Sequence, residues 1–139
     1  MIDIHDCDGL LHPQAEEGLR LFAKGQYFEA HEALELAWRE ETGAVRDLYR
    51  GILQAAVVYL HVRRGNYAGA VKVYGRCMKW LNQWPETCRG VDVEGLRQDL
   101  KKVMDEVKRL GAQRLGEFDL SLFKSVKWET KLRAITARE

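Results

Sequence analysis

The chain has 139 residues, of which 46% are hydrophobic and 31% are charged. This composition is typical of a globular protein and excludes intrinsic disorder, and the length predicts one domain over residues 1–139. The 22 lysines and arginines are balanced by 21 aspartates and glutamates, so the net charge is only +1. Since such a chain offers no strongly basic field, we expect no nucleic-acid partner.

Cysteine usage and apolar patterning predict a cytoplasmic protein. The three cysteines, Cys7, Cys77 and Cys88, are an odd number without a Cys-x-x-Cys spacing, which favours reduced thiols. The amino-terminal segment carries aspartates and lacks the apolar stretch of a secretion signal. The longest apolar run, Ile52 to Leu60, is well short of the roughly 20 residues that a membrane-spanning helix needs. We therefore expect no membrane partner.

Two helices are predicted in the first part of the chain. Pro13 suits the first turn of a helix over about 14–24, and Gly25 suits its end. A second helix follows over about 27–41. Its apolar side is a narrow stripe of mostly small residues, which lets another helix approach closely. The stripe consists of Ala30, Ala33, Leu34 and Ala37.

Three more helices and a tail complete the prediction. A third helix, about 44–64, is apolar nearly all round, as expected of the most buried helix in a bundle. A fourth, about 67–83, ends before Pro85, and a fifth, about 93–110, is amphipathic. The tail, residues 111–139, has aromatic residues without helical spacing and should lie against the helices as extended chain. Without a competing strand pattern, the fold class is all-α: a compact bundle of about five helices built on two antiparallel helical hairpins.

The two predicted hairpins share the motif Gly-x-Tyr-x-x-Ala at an offset of 40 residues. Glycine lets one helix end, tyrosine begins the next, and alanine allows the two helices to pack closely. An internal duplication and convergence on one helix-turn-helix packing both explain this echo. The members are Gly25, Tyr27 and Ala30 in the first hairpin and Gly65, Tyr67 and Ala70 in the second.

Polar side chains on the second and third helices form the candidate site. His31 and Glu35 are one helical turn apart and share a face with Trp38, whereas Glu32 lies round the far side. On the third helix the polar residues gather in a stripe opposite Ile52, on a helix that is otherwise apolar. Because buried polar groups need partners, we expect the two sets to meet in a semi-buried cluster. The candidates are His31, Glu32, Glu35, Trp38, Arg50, Gln54 and His61.

Three kinds of role fit this cluster. A divalent metal would take His31, Glu35 and His61 as ligands, because zinc sites use imidazole and carboxylate groups at about 2 Å. Alternatively, His31 paired with Glu35 would act as a general acid or base. In the same setting Arg50 would bind a small anionic ligand, which Gln54 would orient. In the third interpretation the network is structural and fixes how the two helices pack.

The stretches FAKGQYFEAHEALELAW and RGILQAAVVYLHVRRGNYAGA resemble the signature of the domain of unknown function 309 family, over roughly residues 18–83. That signature is a Tyr-x-x-Ala-His-Glu-x-x-Glu-x-x-Trp helix followed by a glutamine-bearing helix and a His-x-x-x-Gly-Asn turn. The resemblance implies an all-helical bundle and supplies no activity. Arg50 stands where the family pattern favours glutamine, so the resemblance does not support an anion-binding role for it. The matching positions are Glu29, His31, Glu32, Glu35, Trp38, Gln54, His61, Gly65 and Asn66.

The sequence thus predicts a cytoplasmic helical domain with a His/Glu/Gln cluster between its second and third helices. We interpret the cluster as a small-ligand or metal site, or alternatively as a lock on helix packing in a structural or protein-interaction module. The pattern specifies no reaction, so whether the protein is an enzyme stays open. The sequence is also compatible with a protein that forms a homo-oligomer.

Overall fold

The structure, a computed structural model, describes residues 3–129. Within this range the all-α prediction with two helical hairpins is confirmed, and no predicted helix boundary is displaced by more than four residues. The elements are α1 (Pro13–Ala23), α2 (Tyr27–Glu40), α3 (Arg46–Arg63), α4 (Tyr67–Leu81), β1 (Thr87–Cys88), β2 (Val91–Asp92) and α5 (Val93–Arg114). None of the described helices is long and apolar enough to cross a membrane.

The turns that close the two helical hairpins have the same geometry. Gly25 and Gly65 both adopt a φ of +74°, in the left-handed region that glycine reaches without steric cost. The backbone N–H groups after each helix donate to carbonyl groups of its last turn in the Schellman pattern. The donor–acceptor pairs are Gly25–Phe22 and Gln26–Leu21 in the first turn, and Gly65–Val62 and Asn66–His61 in the second. The motif that repeats in the sequence is therefore a repeated turn.

Each helical hairpin also contains a glycine that receives a leucine from the partner helix. A Cβ atom on Gly18 would lie 2.6 Å from Leu34 Cγ, and one on Gly51 would lie 2.7 Å from Leu81 Cδ2. The two helices of each hairpin can approach this closely because the glycine has no side chain at the point of contact. Ten of the 18 residues of α3 are buried, as expected for the central helix, which packs against both α2 and α4.

The region after α4 contains a β-hairpin that the sequence analysis did not predict. β1 and β2 pair in antiparallel fashion through a two-residue turn, in which Arg89 and Gly90 have φ angles of 51° and 83°. Two positive φ angles are the geometry of a tight hairpin turn. The sequence holds no strand signal here, because two-residue strands are too short to show an alternating pattern. An Arg-Gly turn also lacks the usual Asn-Gly signal.

The tail packs back onto the helices. After Gly111 (φ 73°) come two short 3-10 turns, Leu115–Glu117 and Leu120–Leu122, so this part is less extended than expected. The Phe123 ring stacks on Tyr59 of α3, with ring centroids 4.5 Å apart. Residues 130–139 of the predicted tail lie outside the described residues.

A disulfide bond joins Cys7 to Cys88 and ties the amino-terminal segment to β1. The Arg89 guanidinium strengthens this attachment by donating to the carbonyl oxygens of Asp6 (2.8 Å) and Leu10 (2.7 Å). The expectation of reduced thiols is therefore wrong for two of the cysteines, and only Cys77 is a free, buried thiol. A pair separated by 81 residues follows no local motif, so the spacing gave no signal. Disulfides are typical of oxidising compartments, and these cysteines no longer support a cytoplasmic location.

Candidate functional site

The predicted polar stripes of the second and third helices border a common groove, called here the α2–α3 groove. It is shallow, with a volume of about 210 Å³. The spacing of its residues along each helix places them on the facing sides of α2 and α3. Its lining consists of His31, Glu35 and Trp38 from α2, and Arg50, Leu53 and Gln54 from α3. Five of the seven candidate residues are thus brought together, and Leu53 is added to them.

Arg50 lies between two indole rings at the groove. Its guanidinium carbon is 4.6 Å from the centre of the Trp80 ring and 5.4 Å from that of the Trp38 ring. Both distances allow a cation–π attraction. No hydrogen bond or ion pair joins the Arg50 guanidinium to any other residue between 3 and 129. The N–H donors of this arginine are therefore unused within the described protein.

The acidic group of the groove already has partners on its own helix. Glu35 Oε1 accepts a hydrogen bond from the Arg39 guanidinium at 2.7 Å, and Glu35 Oε2 lies 3.7 Å from His31 Nε2. These are contacts between residues one turn apart, and such pairs contribute only about 0.2–0.5 kcal/mol to a helix. They offset the negative charge of Glu35 without linking α2 to α3.

Two buried polar atoms at the groove lack partners. Trp38 Nε1 and Gln54 Oε1 are both shielded from solvent and form no hydrogen bond within the described range. An unsatisfied buried polar group costs about 1–3 kcal/mol. The other contacts of Trp38 run to α3, since the Arg46 guanidinium lies 4.5 Å from its ring centre and Arg46 Nε donates to its carbonyl oxygen at 3.2 Å. Trp38 is thus a packing residue whose buried indole N–H lacks a partner.

Two candidates are not part of the groove. His61 Nδ1 lies 3.1 Å from Asn66 Nδ2 at the turn between α3 and α4, and it packs where a side chain on Gly69 would stand. Glu32 is exposed and borders a neighbouring depression with Leu36 and Arg39, which shares only Glu35 with the groove. The polar residues of α3 do lie on the same side of the helix. His61, however, is nearly two turns beyond Gln54 and contacts Asn66 instead of the groove residues.

The proposed metal ligands are not assembled. Among residues 3–129, no three side chains of histidine, cysteine, aspartate or glutamate are placed to hold one metal ion. His31 and Glu35 approach each other, whereas His61 bonds to Asn66 instead. A zinc site needs at least three protein ligands at about 2 Å. The geometry therefore does not support the metal interpretation.

Trp80 was not among the candidates from the sequence, yet it contacts a groove residue, Arg50. Trp84, just beyond α4, is buried and only 3% exposed. Trp80 is half-buried and stacks under Arg50. Its position in the last turn of α4 held no signal, because the pairing with Arg50 depends on how closely α4 approaches α3 at Gly51.

Comparison with known proteins places the groove residues in a family context. Residues 15–73 match the family model "Domain of unknown function (DUF309)". The chain is 31% identical over 93 residues to the uncharacterized protein YpuF of Bacillus subtilis, which is 65% of this chain and 53% of YpuF. It is 27% identical over 84 residues to an uncharacterized protein of Aquifex aeolicus, covering 58% of this chain and 24% of that protein. The chain thus spans about half, or less, of the length of these relatives. Residues 15–73, with most of the α2–α3 groove, match the DUF309 family as the motif indicated.

Proposed function

We propose that the α2–α3 groove binds a small anionic ligand through Arg50. The observation that carries this proposal is the unpaired guanidinium of Arg50 between the indoles of Trp38 and Trp80. A guanidinium presents five N–H donors in a planar fork that matches a carboxylate or a phosphate. Hydrogen bonds to such charged groups contribute about 1.5–3 kcal/mol, more than those between neutral groups.

The surroundings of Arg50 support an anion as the ligand. Arg50 is half-buried between the two indoles, and its reduced contact with water strengthens its attraction for a charge at its edge. The nearest carboxylate of the groove, Glu35, is bound to Arg39 and so repels an incoming anion less than a free carboxylate would. The groove thus offers the N–H donors of Arg50 and no uncompensated negative charge.

The size of the groove limits the ligand. Pockets for drug-sized molecules have volumes of about 300–1,000 Å³, whereas this groove has about 210 Å³. A carboxylate or phosphate with a few further atoms fits this volume. We do not extend the proposal to a reaction, although His31 beside Glu35 is placed to exchange a proton with a bound ligand.

A structural lock is the second candidate function, and one observation favours it. The Trp38 ring of α2 contacts the guanidinium groups of both Arg46 and Arg50 of α3, which ties the two helices together. Cation–π contacts of this kind contribute about 0.5–2 kcal/mol each. In this interpretation Arg50 needs no ligand, and its removal should cost stability alone.

Titration with acetate, phosphate and a short dicarboxylate, followed by tryptophan fluorescence, separates the two functions. Trp38 and Trp80 contact the guanidinium, so anion binding should change their emission. We expect Arg50→Gln to weaken binding at least about tenfold, the equivalent of 1.4 kcal/mol. Arg64→Gln, at an exposed position at the end of the same helix, is the charge-matched control and should bind as the wild type does.

Two results would overturn anion binding. One is a wild-type protein whose emission and amide NMR shifts at the groove respond to none of the anions. The other is an Arg50→Gln variant that binds them as well as the wild type. A loss of stability in Arg50→Gln, combined with either result, would establish the structural lock in place of the ligand site.

A further inference from the structure

A second cavity, larger than the α2–α3 groove, lies away from it at the start of α5. This α5 cavity has a volume of about 380 Å³ and lies between the first two turns of α5 and the chain at residues 124–127. It is outside residues 15–73 and shares no lining residue with the groove. The polar groups that line it are Asp92, Gln98, Asp99, Lys124, Ser125 and Lys127.

The walls of the α5 cavity are fixed by backbone hydrogen bonds. The N–H of Asp92 donates to the carbonyl oxygen of Lys127 at 2.9 Å, and Val91 forms a β-bridge with Trp128. Asp92 Oδ1 accepts from the N–H of Gly95 at 2.9 Å and so caps α5. Because Gly95 has no side chain, the Asp92 carboxylate can lie across it at the cavity wall. The chain at residues 124–127 and the start of α5 are therefore held at a fixed distance from each other.

Charged groups of both signs line the cavity without forming ion pairs with each other. The Asp99 carboxylate forms no hydrogen bond or ion pair with any described residue, and partial burial raises the pKa of this group. The positive charges of Lys102, Lys124 and Lys127 oppose that rise, yet neither Lys124 nor Lys127, the two lysines of the cavity, forms an ion pair with a carboxylate in residues 3–129. A half-buried aspartate and two exposed lysines thus line one open cavity without forming an ion pair with one another.

We propose that the α5 cavity binds a small zwitterion of the α-amino-acid class. The ammonium group of the ligand would pair with Asp99, and its carboxylate would pair with Lys124 and Lys127. The four charged residues of the cavity sum to zero, so a ligand with a single charge would be repelled by one half of the site. A zwitterion satisfies both halves, and the volume falls within the range of small-molecule sites.

A matched series of ligands tests this assignment on the wild-type protein. We would titrate the standard amino acids and follow the amide NMR signals of residues 92–99 and 124–127. For each binder, the N-acetyl derivative removes the ammonium charge and the amide derivative removes the carboxylate charge. We expect each derivative to bind at least about tenfold more weakly than the free amino acid, because each loses a charge-assisted contact.

Two variants assign the contacts to residues. Asp99→Asn should weaken binding of the amino acid about tenfold, without weakening binding of its N-acetyl derivative, which lacks the ammonium group. Asp105→Asn, on the exposed side of the same helix, is the control and should bind like the wild type. The proposal is refuted if no amino acid perturbs the named amides, or if derivatives and parent bind equally. Should Asp99→Asn fail to fold, the ligand series on the wild type still decides.

Discussion

Reduction of the Cys7–Cys88 disulfide should strongly destabilise the protein. The bond closes a loop of 81 residues, and it limits the conformations of the unfolded chain. The loop-entropy relation gives about 4.5 kcal/mol of stabilisation for this length at 25 °C. Stabilities of whole proteins are about 5–15 kcal/mol, so the reduced form should lose a large fraction of its stability. It should unfold at a much lower urea concentration than the oxidised form.

Urea denaturation with and without dithiothreitol measures this loss. Cys7→Ala is the matched control, since its stability should equal that of the reduced wild type and should not respond to the reductant. Thiol labelling of urea-unfolded, unreduced protein should modify Cys77 alone. The reasoning fails if three thiols are labelled in that sample. It fails equally if the reductant lowers the free energy of unfolding by less than about 1 kcal/mol.

Three further predictions concern stability, all measured by denaturation. Gly51→Ala should cost about 1–3 kcal/mol, because its Cβ would lie 2.7 Å from Leu81 Cδ2; Gly75→Ala, in open space on α4, should instead add about 0.5–1 kcal/mol. Burial raises the pKa of Tyr49 from 10.0 to about 12. The contribution of Tyr49 to the free energy of unfolding should therefore be complete below pH 10 and lost as the pH rises towards 12, and Tyr49→Phe should not show this decline. Arg97→Met should cost about 2–3 kcal/mol, because the guanidinium donates to two carbonyl oxygens at the end of α4, 2.7 and 3.0 Å away. A neutral result for Gly51→Ala or Arg97→Met would contradict the packing described.

The helices could be predicted from the sequence because their signals are local. Gly25 and Gly65 mark helix ends, and the apolar residues of α5 repeat with the helical period, so each element is encoded within its own segment. The β-hairpin around Arg89 and the Cys7–Cys88 disulfide depend on contacts between distant segments. Neither a two-residue strand nor a pair of distant cysteines produces a periodic signal, so these features appear only in three dimensions.

The candidate site, like the fold, could be predicted only where its signal lies within one helix. Helical spacing placed His31, Glu35 and Trp38 on one face of α2, and this face does border the groove. Spacing gives the direction of a side chain about the helix axis, but it gives no information about which element stands opposite. His61 has the same direction as Gln54, yet it lies beside the turn that begins α4. The α5 cavity was missed because its walls come from segments about 30 residues apart.

Because the turn is repeated, the polar residues of the first helical hairpin can be compared with the residues at equivalent positions in the second. Shifting the first helical hairpin by 40 residues superposes its sequence on the second, with equivalent glycine turns and buried alanines. The equivalents of His31, Glu35 and Trp38 are then Val71, Gly75 and Met78. The second hairpin thus reaches the same architecture with three non-polar residues at these positions. Pairing of the two helices within a hairpin therefore does not depend on a histidine, a glutamate and a tryptophan at these positions, and in the first hairpin these residues line the α2–α3 groove instead.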